Sequence, residues 1–219
     1  MWLRHFTSCT PMRLMLLGFA LAVAGCASTG SKSSAPGRGS AQAGATGAAA
    51  ALEIPPQAMT MYEQATAVMA SGDYLDAELR LKEFLLQYPG YPGAHVNLAI
   101  IHVNNDDEAA ARAALDAALA INPEYAPALN QQGMLLRKNG KFIEAEAAYL
   151  KAVTASPDYA LAHYNLGVLN ELYLQRLDVA LQHFERYRAI VGEDKQVEKW
   201  ITDLTRRVAA SQRTANVAE

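Results

Sequence analysis

Residues 157–167 read Pro-Asp-Tyr-Ala-Leu-Ala-His-Tyr-Asn-Leu-Gly, and residues 89–99 read Pro-Gly-Tyr-Pro-Gly-Ala-His-Val-Asn-Leu-Ala. Between them a third copy of the opening stands at Pro123 and Tyr125, so that Pro89, Pro123 and Pro157 are spaced by 34, each with a tyrosine two positions on (Tyr91, Tyr125, Tyr159). The interval recurs in the small residues Ala65, Ala99, Gly133 and Gly167, in Ala77, Ala111 and Ala145, and in the larger Leu81, Leu115 and Tyr149. Proline makes up about 5% of average sequence, so two further prolines at prescribed sites arise by chance about once in 400 trials. A fixed period of this length is the signature of stacked supersecondary units.

The residues that carry the period have a physical logic. Two helices approach closely only where side chains are small, which assigns Ala65 to Ala77, Ala99 to Ala111 and Gly133 to Ala145 across a helix pair. Leu98, Leu115, Leu136, Tyr149, Leu166 and Phe184 fall on inward stripes at helical spacing. The proline stops the second helix, and the tyrosine after it packs across the joint to the next unit. This arrangement, with His95-Val96-Asn97-Leu98-Ala99 matching His163-Tyr164-Asn165-Leu166-Gly167 and with Ala145, Tyr149, Ala152 and Pro157 in the best-kept unit, resembles the tetratricopeptide repeat. The resemblance covers residues 58–191 in four units, 58–91, 92–125, 126–159 and 160–191. It implies an all-α fold, a right-handed superhelical stack of about four helix-turn-helix units plus a C-terminal capping helix.

Departures from the pattern are equally specific. Gln132 stands where other units carry Leu98 and Leu166, which makes the first helix of the third unit more polar. Ala180 and Phe184 fall 35 residues after Ala145 and Tyr149, so the spacing predicts a lengthened turn around residues 174–177, and no proline closes this unit. The opening unit, with Met61, Gln64 and Val68 in its first helix, is an atypical terminal repeat. After Gly192, Val197, Trp200, Ile201, Leu204 and Val208 share one helical face, with Asp194 placed to cap the amino terminus. A cover over the last repeat accounts for this helix, as would an amphipathic surface for a membrane or a partner.

The amino-terminal quarter has a different composition. Arg4, His5 and Arg13 lead into the apolar run from Leu14 to Ala24, which is shorter than the roughly 20 residues a spanning helix needs. Either Met1 or Met12 serves as the start of this export signal. Val23-Ala24-Gly25-Cys26 resembles the lipobox of bacterial lipoproteins, in which small residues precede the cysteine whose thiol takes up the lipid; an ordinary signal peptide with an incidental cysteine is the alternative. By that resemblance Cys26 is lipidated, acyl chains such as palmitate anchor the protein, and Ala27 after the cysteine indicates the outer membrane of a Gram-negative envelope, on its periplasmic side. Residues from Ala27 to Leu52 are almost entirely Ala, Gly, Ser, Thr and Pro, too apolar-poor to fold alone. The expected organisation is therefore a signal peptide over residues 1–25, a lipidated cysteine and flexible linker over 26–56, the repeat domain over 57–191, the capping helix over 192–212 and a frayed tail over 213–219.

Composition excludes several functions. The formal charge of −3 becomes −5 without residues 1–25, which carry Arg4 and Arg13 and no acid, and this disfavours nucleic acid as a partner. With Cys9 in the cleaved segment, Cys26 has no partner for a structural disulfide. His95, His102, His163 and His183 are too scattered for a compact ligand set, so no metal, cofactor or small-molecule substrate is expected, and the histidines read as packing residues. Asp106-Asp107-Glu108 sits at a helix start, where carboxylates meet the helix dipole. No phosphate loop, zinc helix or nucleophile elbow occurs in the folded part.

The first helices of stacked units line the concave side. That places Tyr62, Thr66, Met69, Val96, Asn97, Ile100, Asn104, Asn130, Gln131, Met134, Arg137, Lys138, Tyr164, Asn165, Val168 and Glu171 in a candidate peptide groove. Asn97 and Asn165 serve there either as hydrogen-bond partners for an extended backbone or as bridges between neighbouring helices. The basic residues of the carboxylate-clamp subset are not reproduced, since Tyr62, Val96, Asn130 and Tyr164 occupy comparable places. The expected function is a membrane-anchored scaffold for envelope proteins or peptide segments, not an enzyme. By resemblance, repeat lipoproteins of this layout assist pilus or secretin assembly or dock cell-wall hydrolases. The alternative is an envelope enzyme that acts on peptidoglycan through an unrecognised active site.

Overall fold

A computed structural model describes residues 55–217, with side chains through residue 213. The export signal, Cys26 and the linker up to residue 54 lie outside the described residues, as do residues 218–219. The described residues form nine α-helices and no strand: α1 (Pro56–Ala70), α2 (Tyr74–Gln87), α3 (Pro92–Asn104), α4 (Glu108–Ile121), α5 (Ala126–Lys138), α6 (Phe142–Ala155), α7 (Ala160–Leu172), α8 (Leu177–Val191) and α9 (Lys195–Val217). Consecutive helices pair as α1 with α2, α3 with α4, α5 with α6 and α7 with α8, and the first helices also touch in series, α1 to α3, α3 to α5 and α5 to α7. This is the stack that the 34-residue period implies.

Local chemistry sets the boundaries. The Asp73 and Asp107 carboxylates accept from the backbone N–H groups of Asp76 and Ala110 at 3.1 and 3.0 Å, capping α2 and α4. Pro92 and Pro127 occupy the first turns of α3 and α5, where a missing N–H costs nothing. Between the helices of a pair, the second residue of the turn takes a positive φ: Gly72 at 88°, Asp106 at 56° and Gly140 at 71°. Glycine meets that demand without strain at two of these turns. In the last unit the turn runs from Tyr173 to Arg176, one residue longer, and Gln175 supplies the positive φ of 54°. The extra residue read from the sequence is thus absorbed between α7 and α8, leaving both helices in register.

The core is built from contacts between a small and a large residue within each pair. Ala99 and Leu115 share one apolar cluster, and Ala65 and Leu81 share another. Where the second helix carries an aromatic in place of that leucine, the first carries glycine in place of that alanine. A Cβ added at Gly133 would lie 2.5 Å from Cε1 of Tyr149, and one at Gly167 would lie 2.7 Å from Cε1 of Phe184. Both rings are fully buried. The tyrosines after the closing prolines pack at the joints: the Tyr91 ring meets Phe84 edge-on at 5.1 Å, Tyr125 lies against the cluster of Val96 and Ala128, and Tyr159 against that of Ala126 and Ala162.

The carboxylate of Asp194 accepts from the N–H groups of Gln196 and Val197 at 3.0 and 3.1 Å, which starts α9. Val197, Ile201 and Leu204 bury against Ala180 and Phe184 of α8, with Trp200 at the edge of the same cluster. This helix therefore covers the last repeat. It continues to Val217, into the 213–219 segment expected to fray, because residues 213–217 contain no glycine or proline to stop it.

Gly133→Ala should destabilise the fold by roughly 1–3 kcal/mol, since the new methyl meets a buried ring with nowhere to move. Combining it with Tyr149→Leu should recover much of that loss, because leucine faces alanine at the equivalent place in the second unit. Urea denaturation of the two single variants and the double variant measures this coupling. Strict additivity would remove the proposed size match.

Candidate functional site

The residues expected in the groove all fall on α1, α3, α5 and α7, but they do not form one open strip. Towards the amino-terminal end, Asn97 donates from Nδ2 to the hydroxyl of Tyr62 at 2.9 Å, joining α1 to α3. The Thr66 hydroxyl donates to the Glu63 carbonyl at 2.9 Å, Asn104 donates to the Ile100 carbonyl at 2.8 Å, and Met69 packs on the first core cluster. Ile100 borders the next cluster, whose interior includes Val96. Between α5 and α7, Asn165 donates from Nδ2 to Oδ1 of Asn130 at 2.9 Å.

Three expectations are corrected here. Val96 is 5% exposed, Asn130 1% and Asn165 5%, so none of them faces solvent. Successive first helices approach so closely that these side chains point across the joint. For Asn97 and Asn165, the bridging role is the one that the structure contains.

At the carboxyl-terminal end, α9 takes up much of the same face. Trp200 stacks at 5.9 Å from the Tyr164 ring, which also meets Tyr187 at 5.4 Å. Val168 packs against the cluster of Val197, Ile201 and Leu204, and Glu171 accepts from Arg207 at 2.8 Å. Tyr164, Val168 and Glu171 are thus partly engaged by the capping helix.

The remaining groove residues converge on one cavity. Gln131, Met134, Arg137 and Lys138 of α5 line a space of about 460 Å³ together with Val103, Leu135, Gly140, Phe142 and Tyr173. Lys138 is held at its rim by the Asp106 carboxylate at 3.2 Å. The Phe142 and Tyr173 rings lie 4.5 Å apart and form an aromatic wall. In Arg137, Nη1 is buried and has no hydrogen-bond partner, as is the hydroxyl of Tyr149 on α6. Burial pushes that hydroxyl up to about 12, against the lowering effect of the Arg137 charge. Val103, Leu135, Gly140, Phe142 and Tyr173 are absent from the sequence reading; Tyr173 stands 34 residues after Asn139, at the first position of its turn, where an aromatic in place of asparagine is the signal.

The acidic cluster is structural. Asp107 caps α4, Asp106 holds Lys138, and Glu108 pairs with Arg112 at 2.9 Å while accepting from Asn139 at 2.7 Å. Among the described residues, no group of three or more histidine, cysteine, aspartate or glutamate side chains is placed to hold a metal ion. His163 and His183, twenty residues apart, meet with their Nδ1 atoms 3.1 Å apart and their ring centres 5.4 Å apart. Nitrogens set this far inside the line of centres face each other head-on, which suits an N–H···N hydrogen bond rather than two donors converging on an ion. Nε2 of His163 donates to the Pro157 carbonyl at 3.1 Å, leaving Nδ1 to accept from His183. Burial, then the His163 neighbour, holds His183 down at about 4, with Glu146 opposing. Burial lowers His163 as well, with the Pro157 carbonyl opposing and the charges of Arg186 and Asp158 acting in opposite senses.

Two tetratricopeptide repeat family models match this chain, over residues 68–131 and 130–194, together more than half of its length. The chain belongs to the tetratricopeptide repeat family. Among solved structures, it is similar to Pseudomonas aeruginosa pilF at 22% identity, with 70% of this chain and 69% of that chain covered and a TM-score of 0.62. It is similar to a thermophilic TPR protein of Thermus thermophilus at 22% identity, covering 69% of this chain and 82% of that one, with a TM-score of 0.59. MamA of Desulfovibrio magneticus RS-1, from residue 41 to its end, is similar at 19% identity over 74% of this chain and 92% of that one, with a TM-score of 0.55. At these identities the likeness establishes the repeat fold alone. Among curated proteins none matches significantly.

Asn165→Ala should lose roughly 1–3 kcal/mol, because Oδ1 of Asn130 stays buried without its donor; a loss below about 0.5 kcal/mol in urea denaturation would mean that the bridge is dispensable. The histidine pair adds a pH dependence. Since His183 titrates in the folded state below its ordinary value near 6.5, its stabilising effect is complete above that pH and is lost as pH falls towards about 4. Lowering pH from about 7 to 5 should cost roughly 1 kcal/mol, allowing for the partly exposed ring. His183→Gln, which keeps a donor without titrating, should flatten that slope in denaturation curves taken at the two pH values.

Proposed function

We propose that this chain is a membrane-anchored interaction scaffold of the bacterial cell envelope, recruiting or assembling a protein complex through its repeat domain. The observation that carries the reading is a family of interaction modules, with an open cavity between its central units, set behind a lipobox-like cysteine and a low-complexity linker. Tetratricopeptide repeats present extended surfaces to protein partners. Among the described residues no helix is long and apolar enough to cross a membrane, so attachment in this reading depends on lipid at Cys26. Acyl chains supply about 0.8 kcal/mol per buried methylene, which suffices for stable anchoring when more than one chain is present.

In this reading the family's general role as a binding module supports scaffolding, and outer-membrane sorting rests on Ala27. The likeness to pilF contributes a shared repeat architecture. Cys26→Ala should abolish metabolic acyl labelling and move the protein out of the membrane fraction. A variant that keeps its label and stays membrane-bound would overturn the anchoring. For scaffolding, affinity purification of the anchored chain at native expression should recover a defined set of envelope proteins. Recovery of the same set by a chain whose repeat domain has been unfolded by Gly133→Ala with Gly167→Ala would overturn that role.

A further inference from the structure

The cavity beside α5 joins an apolar wall to a half-buried guanidinium that no carboxylate of the described residues neutralises. Val103 and Met134 supply aliphatic surface, and Phe142 and Tyr173 supply stacked rings. Arg137 takes part in no ion pair among those the described residues form, whereas its neighbour Lys138 is bound to Asp106. Nη1 of Arg137 is buried without an acceptor while the side chain also lines the cavity, and the group that best meets the accessible part of the guanidinium is a carboxylate, which accepts from it in a charge-assisted bond. The adjacent wall favours an aromatic or branched aliphatic side chain in the occupant. The asparagines that would otherwise grip an extended backbone along this face, Asn97, Asn130 and Asn165, are spent on bridges between helices. Recognition then falls on side chains.

We infer that this cavity binds an internal segment of a partner protein in which an acidic side chain sits next to an aromatic or large aliphatic one, with the carboxylate on Arg137 and the apolar group against Phe142 and Tyr173. Its occupant being a protein rests on the scaffold reading; its chemistry rests on the cavity. Lys138 and Gln131 border the same space and can orient the peptide backbone, but neither supplies the free charge.

The test uses the purified full chain and an array of octapeptides with blocked ends. Each holds a central Glu, Asp, Gln or Asn, with the following position varied through all residue types. A second set lacks internal acids and carries free carboxyl termini. The wild-type chain should bind best to members pairing Glu or Asp with Phe, Tyr, Trp or Leu, by about tenfold over their Gln and Asn counterparts. That preference is read without any variant. Arg137→Gln should erase it, while the charge-matched Lys151→Gln, on an exposed part of α6, should leave it intact. Circular dichroism melting establishes that both variants fold. Equal binding of acidic and amide members, or an acidic preference surviving in Arg137→Gln, overturns the inference. Dominance of the free-terminus set does so too, and makes the occupant a chain end. If Arg137→Gln fails to fold, the wild-type preference and its loss as salt is raised decide the matter. An array without acidic preference, beside an intact envelope complex in affinity purification, sinks this inference alone; a Cys26→Ala chain that keeps its label and stays membrane-bound sinks only the anchoring.

Discussion

The separation of the two helices in each unit is the constraint from which the rest follows. It is set where one small residue of the first helix meets one large residue of the second. Gly133 against Tyr149 and Gly167 against Phe184 leave no room for even a methyl group, while the units with leucine in the second helix carry alanine in the first. Because interiors are close-packed, the sum of the two volumes is conserved although neither residue is. This explains how the period persists through substitutions that look unrelated position by position. A pair drawn together this tightly still leaves apolar surface on its outer sides, and only another pair can cover it. Stacking is the consequence of close pairing.

Between units, part of the adhesion is polar. Tyr62 with Asn97, and Asn130 with Asn165, bridge neighbouring first helices at a separation of 35 residues. A hydrogen bond of this kind contributes little net energy when made and costs much more when broken in a dry joint. Such contacts therefore fix the register of one unit on the next more than they add to stability. The joint between the second and third units packs Val96, Ala99, Ala128 and Leu135 as an apolar match, with polar contacts from Lys138 to Asp106 and from Asn139 to Glu108 at its exposed edge. Surface ion pairs across joints, such as Arg176 with Glu146 at 2.8 Å and Arg186 with Asp158 at 2.6 Å, add little in comparison.

The helices, their pairing and the cap were legible because each is written as periodicity, which a single sequence displays directly. The lengthened turn was legible for the same reason, as a break in the count at Ala180 and Phe184. Facing was harder. A first helix in such a stack must satisfy its own partner on one side and the next unit on another, and the two stripes lie only a fraction of a turn apart. Val96 and Asn130 belong to the second stripe, yet nothing in their local pattern separates them from Ile100 and Met134. Contacts between distant segments left no trace either. His163 and His183 are brought together by helix pairing, and Glu171 meets Arg207 only because α9 reaches back over the last unit. Such pairings depend on a third dimension that spacing does not encode.

The turns also shape the surface. Tyr173 opens the turn of the last unit 34 residues after Asn139 opens that of the unit before it, and its ring lies 4.5 Å from that of Phe142. The extra residue of that turn follows Tyr173 and is accommodated by a left-handed backbone at Gln175, so the aromatic wall of the cavity keeps the register of the repeat. A positive φ at a residue other than glycine is unfavourable by about 1 kcal/mol, a cost that the repeat avoids at Gly72 and Gly140. Meanwhile Trp200 and Arg207 of the capping helix engage Tyr164 and Glu171 on the last unit. The cap reduces the free surface at one end, while Tyr173 at the start of the last turn and Phe142 of α6 wall the cavity beside the central units. The open inner surface is consequently concentrated around α5, where Arg137 lies.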